Sequence, residues 1–166
     1  MPDTKEQLAQ AIEMALAHEL EAEQFYLRAS MLDLEVEAKK TFAFLAKEEV
    51  RHHQELKDRF SELIVEMGLE EEVDTEVFVA GLLMKVEKKV TKMNLQQVTV
   101  REILEMALKE ERNAKDLYQL NASVYTQPAI KKTFLKLAKD EEEHIKTLKA
   151  LIHLLERDII SPERLG

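Results

Sequence analysis

Shifted by 92 residues, the sequence matches itself without a gap. Residues 39–56, KKTFAFLAKEEVRHHQEL, lie over 131–148, KKTFLKLAKDEEEHIKTL, with 10 of 18 positions identical. By the same shift, residues 13–30 lie over 105–122 with 7 of 18 identical. Glu13, Met14, Ala15, Leu16, Glu19, Ala22 and Tyr26 recur there as Glu105, Met106, Ala107, Leu108, Glu111, Ala114 and Tyr118. Two copies of one unit that cannot bury its apolar face alone close on each other, most simply about a pseudo-twofold axis. The period is far from those of common solenoids, and two copies are too few for one.

Each copy reads as a helical hairpin, because its apolar residues keep 3/4 spacing. The first helix opens at the capping box Thr4-x-x-Gln7 and carries Leu8, Ala11/Ile12, Ala15, Glu19, Ala22, Tyr26 and Ala29 on one stripe. The second runs from about Ala38 through Phe42, Leu45, Glu49, His52, Leu56, Phe60 and Leu63, with Gly68 as its stop. A third opens at Thr99-x-x-Glu102 and carries Leu104, Ala107, Glu111, Ala114 and Tyr118. The fourth begins near Pro128, a residue suited to a first turn, and carries Ile130, Phe134, Leu137, Glu141, His144, Leu148, Leu151 and Leu155. Only 3 Gly and 3 Pro in 166 residues agree with long, rarely interrupted helices. Residues 67–97 are longer than a bundle turn needs, and Asp74 and Thr75 can cap a further helix to about Val90. The expected fold is all-α, a four-helix bundle of two hairpins joined by one long crossover. A single domain over 1–166 divides into hairpin 1 (about 4–67), the crossover (about 68–97), hairpin 2 (about 98–156) and a short tail (157–166).

Polar residues interrupt the apolar stripes where leucines belong. They are Glu19, Glu49 and His52 in the first copy and Glu111, Glu141 and His144 in the second. Their neighbours differ between copies, Arg51 becoming Glu143 and His53 becoming Ile145. One Glu-x-x-His is weak evidence, since both residues are common on solvated faces. Two copies, each aligned with an upstream Glu and Tyr, are specific. Burying an unpaired carboxylate costs several kcal/mol, roughly, so buried charges are paired or metal-bound. No Lys or Arg shares these stripes. Four carboxylates and two divalent cations sum to zero, and oxygen with imidazole nitrogen suits iron or manganese, with zinc a common substitute.

Composition excludes several classes. A net charge of −9 argues against a nucleic-acid partner. The longest apolar run, VFVAGLLM at 77–84, is too short to span a bilayer, so no membrane partner is expected. The start MPDTKEQ shows no signal peptide, and a cytoplasmic location is the expectation. With no cysteine there are no disulfides, thiolate metal sites or cysteine nucleophile. VFVAGLLM is expected to pack on the bundle or on a second subunit, giving a homodimer. His18, His53 and His153 are read as solvated, Met14 and Met106 as core, and EEEVDTE at 70–76 as a solvated acidic loop.

A Glu on each of two helices with Glu-x-x-His on each of the other two resembles the ferritin-like di-iron carboxylate superfamily over nearly the whole chain. It looks most like a stand-alone rubrerythrin-related domain. The resemblance implies two iron ions, with Glu49 and Glu141 bridging, Glu19 and Glu111 terminal, and His52 and His144 each on one metal. It makes Tyr26 and Tyr118 hydrogen-bond donors to the opposite hairpin's site. It further implies an oxidoreductase using hydrogen peroxide or O2, as a rubrerythrin-like peroxidase or a ferroxidase. The alternatives are an iron-handling protein or a structural bundle with a zinc-filled or empty site. Full-length rubrerythrins add a rubredoxin domain whose cysteines hold iron; none is present here, so a separate electron donor is implied. Rubrerythrins also carry an extra glutamate where this chain has Ala114, which leaves the six-ligand set closer to the bacterioferritin site. Bacterioferritins place a haem-ligating methionine where Val50 stands, and the tail is short for a cage-forming fifth helix.

Overall fold

The computed structural model describes residues 4–160. Five α-helices follow in order: α1 (Lys5–Ser30), α2 (Val36–Glu66), α3 (Thr75–Thr91), α4 (Val100–Val124) and α5 (Pro128–Ile160). A 3-10 turn at Leu95–Gln97 leads into α4. Among the described residues there is no strand.

The helix ends follow from local chemistry. Thr4 accepts from the Gln7 amide, and the Gln7 side chain returns to the Thr4 amide, closing the expected capping box. Thr99 accepts from the Glu102 amide, and Asp74 accepts from the amides of Glu76 and Val77. Gly68 ends α2 at φ +70°, where Gly68 N–H bonds to Val65 and Leu69 N–H to Ile64. That pairing satisfies the last carbonyls and needs a left-handed residue, which glycine supplies without strain. Pro128 opens α5 as anticipated. The helix runs on to Ile160, so the tail expected from 157 starts as helix, and 161–166 lie outside the described residues.

Short links make α1–α2 and α4–α5 antiparallel pairs, and α2 meets α5 where the pairs join. The apolar core is divided into two lobes. One holds Ile12, Leu16, Leu56, Phe60, Tyr118, Phe134 and Leu137; the other holds Tyr26, Phe42, Leu45, Leu104, Leu108, Leu148 and Leu151. The lobes are repeat mates, since Phe42 and Leu45 correspond to Phe134 and Leu137, and Leu104 and Leu108 to Ile12 and Leu16. The pseudo-twofold therefore runs across the bundle and exchanges its ends. Residues at the middle of each hairpin meet on the axis, in the layer between the lobes.

The crossover lies along α1. Val86 and Val90 of α3 bury Leu20, Lys89 pairs with Glu21 at 2.9 Å, and Arg28 bonds to Thr91 at 2.9 Å. Phe78 stacks on Phe60 with centroids 4.6 Å apart. VFVAGLLM thus packs partly on the bundle, while Val77 and Met84 face outward. Three side-chain expectations change. Met14 is 62% exposed rather than core. His53 is half-buried with Nδ1 2.7 Å from Glu23, and His18 is half-buried with its ring edge-on to Tyr118. Repeat mates of unlike type signalled an outer position, but the outer faces of α1 and α2 are themselves partly covered.

Candidate metal centre

The six polar stripe residues meet in the layer between the lobes, each at most 4% exposed. Glu19 comes from α1, Glu49 and His52 from α2, Glu111 from α4, and Glu141 and His144 from α5. His52 Nδ1 lies 3.3 Å from Glu19 and from Glu49 and 3.2 Å from Glu141. His144 Nδ1 lies 3.0 Å from Glu49, 3.5 Å from Glu111 and 3.3 Å from Glu141. The imidazole rings stack with centroids 5.4 Å apart.

The tyrosines link the hairpins. Tyr26 of α1 donates to Glu111 at 2.5 Å, and Tyr118 of α4 donates to Glu19. Each bond crosses from one hairpin to the other, and both hydroxyls are fully buried. Burial first, then the facing carboxylates, raises both phenol pKa values, so the tyrosines stay protonated donors.

Asp140 was not anticipated. It accepts from His52 Nε2 at 3.1 Å, which turns Nδ1 toward the carboxylates. The hydrogen bond with His52 lowers its pKa. Its repeat mate is Glu48, which comes within 4.8 Å of His52 and His144 but pairs with Arg51 instead. A signal was present: an acid directly precedes the Glu of both Glu-x-x-His motifs.

Electrostatics divides the four carboxyls. Burial, then the charge of Glu19, pushes Glu49 and Glu141 well above the usual carboxylate range. Burial works in the same direction on Glu19 and Glu111, but hydrogen bonds from the other carboxyls and the histidines outweigh it and hold both low. Burial opposes charge on the histidines, yet the surrounding carboxylates win, raising His52 far above its ordinary value and pushing His144 up to about 12. These shifts all favour protons on Glu49, Glu141, His52 and His144, which would offset the charge of −4 that four carboxylates and two neutral imidazoles carry. Two divalent cations cancel the same charge.

The donors also fit by geometry. Ligands about 2.1 Å from one ion stand about 3.0–3.4 Å apart at octahedral or tetrahedral angles. The histidine–carboxylate separations above fall in or next to that range. Both oxygens of Glu49, Glu141 Oε1 and His144 Nδ1 are buried and, despite close neighbours, make no hydrogen bond of good geometry among the described residues. Polar atoms buried without a well-formed hydrogen bond need an explanation, and an ion is one. The donor atoms fall into two sets, Glu19, Glu49, His52 and Glu141, and Glu49, Glu111, Glu141 and His144. Glu49 and Glu141 are common to both.

Two inverted hairpins around a buried layer of four carboxyls and two imidazoles define a ferritin-like bundle. Comparison with known proteins agrees. Residues 102–164, which cover α4 and α5, match the rubrerythrin family. The chain also superimposes on the bacterioferritin-related protein of Bacteroides fragilis, described as a dodecameric thioferritin, with a TM-score of 0.69 and 20% identity over 96% of this chain and 92% of that one. No curated protein matches the sequence. The resemblance read from the residues is thus borne out in fold, with the family match confined to the second hairpin, and the buried cluster fits a di-iron protein of that fold.

Proposed function

We propose that Glu19, Glu49, His52, Glu111, Glu141 and His144 hold two divalent metal ions, iron before manganese or zinc, and that the protein is an oxidoreductase acting on peroxide or O2. The observation that carries this reading is the set of buried oxygens of Glu49 and Glu141 that make no hydrogen bond of good geometry and belong to two donor groups. When bound, a reduced iron pair supplies two electrons and Lewis acidity to an oxidant. The chain's own residues set the conditions. Glu49 and Glu141 join the two halves, while Tyr26 and Tyr118 hold Glu111 and Glu19 in place. Asp140 fixes the ring orientation of His52. The two apolar lobes keep bulk water from the layer, which strengthens every electrostatic interaction within it. In this reading a separate donor supplies the electrons, as these 166 residues include no cysteine.

A second reading, iron handling, is supported by the likeness to a protein described as a thioferritin. That relative is dodecameric, whereas the partly uncovered α3, with Val77 and Met84 outward, agrees with a homodimer. Native mass separates the two assemblies. No described helix is long and apolar enough to cross a membrane.

The test is metal content after anaerobic Fe(II) loading and desalting, followed by peroxide and O2 turnover. Two irons per chain with turnover support the enzyme; two irons with only slow oxidation favour iron handling. Retention of no iron, manganese or zinc removes the metal centre.

A further inference from the structure

Between α1 and α4 a partly open cavity of about 220 Å³ reaches the cluster. Its walls are Ala22, Phe25, Ala107, Met93 and Met106, and its inner end is formed by Tyr26 and Glu111. His18, Glu21, Lys109 and Glu110 line it as well. An apolar cavity of about 150 Å³ takes a benzene molecule, and a cavity of about 10–15 Å³ already holds a water. The space therefore exceeds what O2 or hydrogen peroxide requires.

The lining selects a chemical class. The alanines leave room, and the two thioethers and the phenyl ring give a soft, adaptable apolar wall. At the inner end the Tyr26 hydroxyl hydrogen is committed to Glu111, so that end offers oxygen acceptors. A ligand there presents a donor. Glu111 repels an anion. A hydrated cation has to shed water along apolar walls, at a cost the polar lining offsets poorly, because Glu21 is already paired with Lys89.

We propose that this cavity binds a small uncharged organic molecule, with an apolar body about the size of a benzene ring and one hydroxyl or hydroperoxyl group turned toward Glu111. The inference rests on the metal-centre reading for what becomes of the molecule, not for its binding.

Cumyl alcohol, an unreactive probe of that class, is titrated into the metal-free full chain by calorimetry, and iron retention is measured separately. Saturable binding of one probe per chain is expected. Ala22→Leu, which fills the cavity, weakens it by about tenfold or more. Met93→Ala, which widens the wall contributed by the crossover, shifts preference toward the bulkier naphthylmethanol; circular dichroism checks both variants, and this one decides if Ala22→Leu does not fold. No saturable binding, or binding that the folded variants leave unchanged, overturns the inference. So does a third Fe(II) per chain that the filled cavity excludes, which would assign the space to a cation. Probe binding without iron retention defeats the metal-centre reading alone, and two retained irons without probe binding defeat this inference alone.

Discussion

Leu20 on α1 is buried beneath Val86 and Val90 of α3, whereas its repeat mate on α4, Arg112, is exposed. One residue away from this difference, Glu19 and Glu111 occupy equivalent positions and accept equivalent tyrosine hydroxyls. The hairpins agree where they face each other and diverge where only one of them meets the crossover. Divergence also reaches the edge of the cluster. Asp140 holds His52, while its counterpart Glu48 is drawn off by Arg51, whose own mate is Glu143. Burial with unsatisfied charge tolerates few side chains; half-exposed positions tolerate many. The two halves of the centre are alike in donors and unlike in support.

Removing what both halves share should have the largest effect. Glu49→Ala with Glu141→Ala is expected to abolish iron retention, read as metal per chain after desalting; two irons still bound would break the equivalence of the hairpins. Next is pH. Loading must displace protons from Glu49, Glu141, His52 and His144, so affinity falls as pH falls, and up to four protons leave per chain. Indicator dye in weak buffer measures the release. The linkage reverses without metal. A folded value raised from 6.5 to about 12 at His144 gives stability that is full below 6.5 and lost as pH rises toward the folded value. The metal-free Tm should therefore drop above neutral pH while the metal-loaded Tm does not.

Asymmetry is sharpened by the two flanking acids. Asp140→Asn should weaken metal affinity by about ten- to a hundredfold and Glu48→Gln distinctly less, read by competition with a chelator dye. Equal losses would make the support symmetric after all. Tyr26→Phe and Tyr118→Phe are each expected to cost about 1–3 kcal/mol in urea unfolding, and similar amounts, because they are mates in equivalent bonds. Arg51→Ala should move stability by no more than about 1 kcal/mol, since the Arg51 side chain is largely exposed.

The bundle and the six-residue cluster were legible because a 92-residue repeat put the same polar residues in the same apolar stripe twice. A glutamate that recurs amid leucines is hard to explain as a surface residue. Helix ends were legible at Thr4, Asp74, Thr99 and Pro128, where the side chain itself makes or permits the cap. Asp140 was not, since a half-exposed carboxylate on a charged helix face looks like any solvated one until His52 is seen against it. Met14, His18 and His53 were misplaced for a related reason. Periodicity gives the face of a residue on its own helix, not which neighbouring helix covers that face.

The inverted arrangement sets unequal tolerance to insertion and deletion along the chain. One extra residue in α2 ahead of Glu49 turns every later side chain by about 100° and removes both Glu49 and His52 from the layer. A residue added in the link between α1 and α2, or in the acidic stretch before Asp74, changes no such angle. Length is thus expected to drift in the connections while the spans from Glu19 to Tyr26, Glu49 to His52, Glu111 to Tyr118 and Glu141 to His144 stay fixed to the residue.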